Sequence, residues 1–195
     1  TFTGPGTFTV SCAGNPCGSS TVDYLVVAGG GGGGGTPQGG NQRSGAGGAG
    51  GYRESSGAAS GCYTRSPLGA GVSALSVPAQ AYPITVGGGG VGTYGSPTNG
   101  ANSIFSTITS AGGGYGMYQI ASPPDTTSAG NGGSGGGGAS GSTCGGTGNT
   151  PPVSPPQGSN GGDSTGYSAG GGGGGGATAV GASDPSGGNG GAGAT

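Results

Sequence analysis

Val22-Asp23-Tyr24-Leu25-Val26-Val27-Ala28, followed at once by seven glycines from Gly29 to Gly35, is the stretch that decides the fold. The first part is an apolar run of strand length, rich in β-branched residues. The second part has no side chains at all. A helix is excluded from this stretch, because each glycine disfavours the helical state by about 1 kcal/mol relative to Ala.

The same junction recurs. Tyr82-Pro83-Ile84-Thr85-Val86 runs into Gly87–Gly90, and Ile104-Phe105-Ser106-Thr107-Ile108-Thr109 leads through Ser110-Ala111 into Gly112–Gly114. Thr7-Phe8-Thr9-Val10 and Val72-Ser73-Ala74-Leu75-Ser76-Val77 alternate polar and apolar residues and complete the expected strands. Further glycine tracts follow at Gly135–Gly138 and Gly170–Gly176, at irregular spacing. No G-X-Y period is present, which excludes a collagen triple helix. Ser122-Pro123-Pro124 and the proline-rich residues 151–156 read as extended connections. The expected organisation is one cooperative unit. It has an N-terminal β segment over 1–28, strands alternating with polyglycine over 29–121, and a Gly/Pro/Ser-rich completion over 122–195.

Glycine makes up 61 of the 195 residues, and charged residues only 4%. Ordering a glycine costs roughly 0.5–1 kcal/mol more than ordering an alanine, and large apolar side chains are few. A side-chain core alone is therefore too small, and the remaining stabilisation must come from backbone hydrogen bonds and close packing. Extended polyglycine with three residues per turn offers both. It has no internal hydrogen bonds, so every N–H and C=O points sideways, and without Cβ atoms neighbouring segments can approach until those groups pair. The expected fold class is all-β and irregular: a small antiparallel β-structure combined with a polyglycine II bundle, with essentially no α-helix. Fast amide exchange throughout residues 29–51 and 170–176 would reject this reading.

Composition also limits function. A net charge of -2 leaves no basic footprint for nucleic acid. No apolar run approaches the ~20 residues of a membrane-spanning helix. The absence of an initial Met reads as a processed product or a fragment. There is no His and no Lys, and the carboxylates Asp23, Glu54, Asp125, Asp163 and Asp184 are scattered. A cysteine nucleophile would lack its base. Val26-Val27-Ala28 before polyglycine satisfies a dinucleotide-binding pattern only because polyglycine satisfies any glycine pattern. Gly161-Gly162-Asp163 is a single copy of a calcium-repeat unit that needs several. The expectation is a protein that is not an enzyme and carries no cofactor or metal.

The cysteines are Cys12, Cys17, Cys62 and Cys144. An even number in a chain of extracellular character suggests disulfides. Cys12 and Cys17 flank a turn-like Ala13-Gly14-Asn15-Pro16, which leaves Cys62–Cys144 as a long-range pair; the other pairings stay open. Without His or a C-x-x-C pair, zinc is disfavoured.

Tyr24 and Tyr82 lie in expected strands and are expected in the core. Tyr52, Tyr63, Tyr94, Tyr115, Tyr118 and Tyr167 lie among glycines or turns. Each could simply shield glycine backbone from water. As a group they are candidate receptor contacts, because loop tyrosines offer rigid area with a polar tip.

The ordered series of strand–glycine junctions resembles the glycine-rich domain of phage tail fibres and receptor-binding adhesins. The resemblance runs from Thr7–Val10 through Val22–Ala28 and Gly47-Gly48-Ala49-Gly50-Gly51-Tyr52-Arg53. It continues through Tyr82–Gly90 and Asn102–Gly114 to Gly170–Gly176 and Gly187–Gly193. It implies a non-enzymatic virion-surface or tail-fibre protein, extracellular, that presents loops to a host-cell receptor or glycan. It also implies contact with other fibre subunits and homo-oligomers. Two other roles are compatible with the residues: an extracellular filament subunit or capsid decoration, and ice binding. Ice binding needs a flat face of regularly spaced small residues, and the irregular spacing of the tracts argues against it.

Overall fold

The run beginning at Val22 does not remain a single strand. A computed structural model describes residues 1–14, 19–36, 43–57, 64–118, 128–141, 143–166, 170–183 and 187–194. In it Thr21–Val22 forms β2 and Leu25–Val27 forms β3, with Asp23 and Tyr24 breaking the run between them. The break exists because Asp23 and Tyr24 bond to the chain after β4 (Tyr52–Glu54). Ser55 Oγ donates to Asp23 Oδ1 at 2.7 Å and accepts from Tyr24 N–H at 3.0 Å, and Ser55 N–H donates to the Tyr24 carbonyl.

β1 (Gly6–Thr9) matches its expected position, and so does β6 (Ala81–Thr85). The Val72–Val77 strand shortens to β5 (Leu75–Ser76), and the Ile104–Thr109 strand is in fact a hairpin. Ser106, at φ 54°, turns the chain between β7 (Ser103–Phe105) and β8 (Ile108–Ser110). The sheets are all antiparallel: β1-β6-β7-β8, β2-β5 and β3-β4. Among the described residues the only helical turn is a short 3₁₀ helix at Pro67–Gly69. The side-chain core of the sheets is small. Phe8, Tyr82 and Phe105 meet one another with ring centroids 5.9–6.2 Å apart.

The larger part of the molecule is backbone packed on backbone. Four of the strands adjoin glycine segments: β3 leads into 28–35, β6 into 86–93 and β8 into 111–118, while 44–51 leads into β4. These segments are neither α-helix nor strand, yet their hydrogen bonds repeat every three residues. Ala28, Gly31 and Gly34 donate to Gly51, Gly48 and Gly45 at 2.8–3.0 Å. The next positions, Gly29 and Gly32, donate to a different neighbour, at Ala101 and Thr98. Gly45, Gly48 and Gly51 in turn donate to Met117, Gly114 and Ala111. A β-ladder would alternate with period two; a period of three with successive residues facing different neighbours is what a three-residue turn produces.

Followed from segment to segment, these bonds build layers. One outer layer runs in the order 86–93, 28–35, 44–51, 170–177 and 187–194. Beneath it lie 98–102, 110–118, 133–140, 157–164 and 178–183, and beneath those, 128–132 and 143–149. The middle layer is the true interior: residues 132–141 are buried throughout, with Ser134 and Ala139 fully inaccessible. The irregular spacing of glycine tracts along the chain thus becomes a regular arrangement in space.

Candidate functional site

The segments turn back at two ends. One end is the strand region. At the other, 28–35 gives way to 44–51, 86–93 to 98–102, and 133–140 to 143–149, all at the same height along the layers. Gly34–Gly45, Gly35–Thr93, Met117–Gly137 and Ser140–Arg43 bonds tie that end together. Tyr94, Tyr115 and Tyr118 gather there. Tyr94 is 48% exposed and meets Tyr118 edge to face, with centroids 5.7 Å apart and planes at 81°. Tyr115 and Tyr118 are three residues apart on one segment. A three-residue turn puts them on the same side, where both rings pack on buried Met117, Ala129 and Ala139. Tyr115 N–H donates to Asn99 Oδ1 at 2.9 Å, which fixes the backbone beneath its ring.

The other candidates stand elsewhere. Tyr52 opens β4 in the strand region, so it is not part of the aromatic end. Tyr63 and Tyr167 lie outside the described residues, as do Asp125, Asp184 and the Ser122-Pro123-Pro124 connection. Tyr24 and Tyr82 are buried as expected, at 8% and 3% exposed. Cys12 and Cys144 are exposed free thiols, so the structure does not form the bridges expected of them. Their anticipated partners, Cys17 and Cys62, lie outside the described residues.

The carboxylates are spent on backbone. Asp23 Oδ1 accepts from Ser55 Oγ and from Gly57 N–H, Glu54 from the N–H and hydroxyl of Ser66, and Asp163 from Gly145 N–H at 2.8 Å. Arg53 does not close a local pair with Glu54. It reaches the Thr109 carbonyl at 3.3 Å, and both residues stand in β4.

A cleft of about 640 Å³ opens between the large sheet and β3. Phe8, Ile84, Ile104 and Phe105 form one wall, and exposed Leu25 and Val27 the other. Tyr24 lies at its base. Burial raises the Tyr24 hydroxyl above its ordinary value of 10.0, with Arg53 pulling the other way. A value raised in the fold means that the neutral phenol stabilises the native state. That stability is present below the unfolded-state value of ~10 and is lost as pH rises through the folded value. A phenolate absorbance titration should show one late-ionising tyrosine, absent in Tyr24→Phe. Loss of no late component in that variant would reject the assignment.

Sequence reading missed a set of Asx side chains that substitute for main-chain partners. Asn99 and Asn102, three apart, accept from Tyr115 and Gly112 N–H. Asn160 and Asp163, also three apart, accept from Gly148 and Gly145 N–H in the same arrangement. In each case the glycine between them donates to a carbonyl of the same neighbour, Gly100 to Gly113 and Gly161 to Gly146. The shared spacing, Asn99-Gly100-Ala101-Asn102 against Asn160-Gly161-Gly162-Asp163, was visible in the chain.

Fold and site together describe an all-β, glycine-layered protein with an aromatic end. The chain belongs to the glycine-rich domain family, whose sequence model matches residues 2–195. No curated protein and no solved structure matches it.

Proposed function

We propose that the layered glycine segments are a polyglycine II lattice acting as a rigid, non-enzymatic scaffold, and that the scaffold displays a recognition end. The observation that carries this reading is the clustering of Tyr94, Tyr115 and Tyr118 where the segments turn back, away from the strands. Backbone layers carry most of the structure, so exposed groups at that end, Tyr94 first among them, are free to vary while the fold stays fixed. The partner is a host-cell surface receptor or glycan, and the setting is extracellular, at a phage fibre or virion surface, as the resemblance to such domains implies.

The Tyr94→Ala/Tyr118→Ala double variant tests the reading. Binding to the cognate cells or to an immobilised glycan panel should fall by at least tenfold, because aromatic anchors dominate such interfaces. Tyr118 also packs on the buried Met117 cluster, so the single Tyr94→Ala variant, whose ring is half exposed and whose thermal transition should stay within a few degrees of wild type, separates lost binding from lost stability. Undiminished binding would remove these tyrosines from the site. Ice binding regains support from one observation, the regular spacing of the layers, and a thermal-hysteresis measurement decides it.

A further inference from the structure

The direction of every unpaired group on the outer layer follows from the trans peptide, in which one residue's carbonyl and the next residue's N–H point oppositely. On 28–35, the carbonyls of Gly29 and Gly32 accept from Gly113 and Gly116 in the layer beneath. The N–H groups of Gly30 and Gly33 therefore point outward. On 44–51, the carbonyls of Ala46 and Ala49 accept from Gly137 and Ser134 beneath, so Gly47 and Gly50 N–H point outward too. The same holds at both margins. On 86–93 the inward carbonyls are those of Gly88 and Val91, and on 187–194 those of Asn189 and Ala192. Outward Gly89 and Gly190 follow. None of these N–H groups has a partner among the described residues.

Acceptors share the face. Gly48 and Gly51 N–H point inward to Gly114 and Ala111, so the carbonyls of Gly47 and Gly50 point outward, and they are unpaired. The outer segments carry no charged side chain within 28–35, 44–51, 86–93, 170–177 or 187–194. Along 86–93, 28–35 and 44–51 the face therefore repeats the donors and acceptors by which the chain's own layers join; residues 172–177 are buried, and exposed Ala46 and Ala49 mark its edge toward them.

We infer that this outer face is an interface, and that its occupant is the same face of a second copy of this chain. Donor and acceptor rows on one surface make it self-complementary, as a two-fold interface requires. The three open segments, 86–93, 28–35 and 44–51, at ~4.8 Å spacing and ~3.1 Å rise over about eight residues, span roughly 350 Å². That is below the ~800 Å² per partner of a standard stable interface, so association is concentration-dependent. It is also insensitive to salt, because no charges are involved. The inference rests on the scaffold reading above, and not on its tyrosine end.

The test is the full chain studied by light scattering and amide exchange from micromolar to millimolar concentration. Gly33 and Gly89 have open space where a Cβ would stand, at 3.8 Å or more from any other atom. Gly33→Lys/Gly89→Lys should therefore fold as wild type. Expected results are a dimer at high concentration, slower exchange at Gly30, Gly33, Gly47 and Gly50 in the dimer, and at least tenfold weaker association of the variant. A wild-type chain monomeric at millimolar concentration would overturn the inference. So would a dimer that leaves those amides unprotected, or a variant that dimerises equally well. Interior amides keep the two readings apart. Slow exchange at Gly113, Gly116 and Gly137 with no association defeats only the interface, whereas fast exchange there defeats the lattice itself.

Discussion

Gly114→Ala should destabilise the protein by about 3 kcal/mol or more, whereas Gly88→Ala should leave it unchanged or stabilise it by about 0.4–1 kcal/mol. The two substitutions are chemically identical and differ only in place. Gly114 donates to Ser134 and accepts from Gly48, both at 2.8 Å. A methyl there would fall on the Gly130 carbonyl, well inside the 3.0 Å that real Cβ atoms respect. The obstructing atoms are main chain and cannot rotate aside. Relief requires two segments to separate, and their bonds are shared with further neighbours. At Gly88 nothing lies within 4 Å of the added carbon. The substitution there only narrows the unfolded ensemble. Urea unfolding followed by near-ultraviolet circular dichroism gives both values. Equal effects at the two positions would mean that the layers are not packed as closely as described.

That contrast also marks what the sequence could and could not show. The junctions at Ala28, Val86 and Ala111 were legible, because a β-branched run ending in polyglycine admits few structures. The layer to which each glycine belongs was not. Gly88 and Gly114 look alike in the chain, and only the period-three register, set by bonds between segments distant in sequence, distinguishes them. The strand ends failed for a related reason. Val22–Ala28 reads as a single strand until Ser55, from beyond the first glycine tract, captures Asp23 and Tyr24. Ile104–Thr109 reads as one strand because Ser106 is an unusual residue for a left-handed turn. β4 was missed because Tyr52-Arg53-Glu54 is short and charged, and it pairs only because β3 lies opposite. At the site, Tyr94, Tyr115 and Tyr118 were identifiable one by one. Their meeting depends on a turn of three residues per repeat, which no local pattern announces.

The largest side chain wholly shut off from solvent tells the same story from the polar side and leads to the second large effect. Gln157 is 1% exposed and joins four parts of the molecule. Its Oε1 accepts from Ala111 N–H at 2.8 Å, and its Nε2 donates to the Pro151 carbonyl at 2.9 Å. Its own N–H donates to Asn149 Oδ1, and its carbonyl accepts from Tyr52 N–H. β4, the end of β8, the proline-rich connection and the 157–164 segment therefore all meet on one residue. Gln157→Ala should cost about 2–3 kcal/mol, because it strands the buried Ala111 N–H and removes the donor to the part-buried Pro151 carbonyl. Gln157→Glu separates those two losses. The introduced carboxyl can still accept from Ala111, but when ionised it faces the Pro151 carbonyl with no proton to give. Burial raises its folded-state pKa above the ~4.3 of an unfolded glutamate. Its stabilising contact with Pro151 is thus present below ~4.3 and lost as pH rises through the folded value. Unfolding midpoints at pH 4 and pH 7, each referred to wild type at the same pH, should show Gln157→Glu close to wild type at the lower pH and near Gln157→Ala at the higher. A pH-independent deficit would show that the donor to Pro151 contributes nothing, and a Gln157→Ala variant within about 0.5 kcal/mol of wild type would remove Gln157 as the joint between strands and layers.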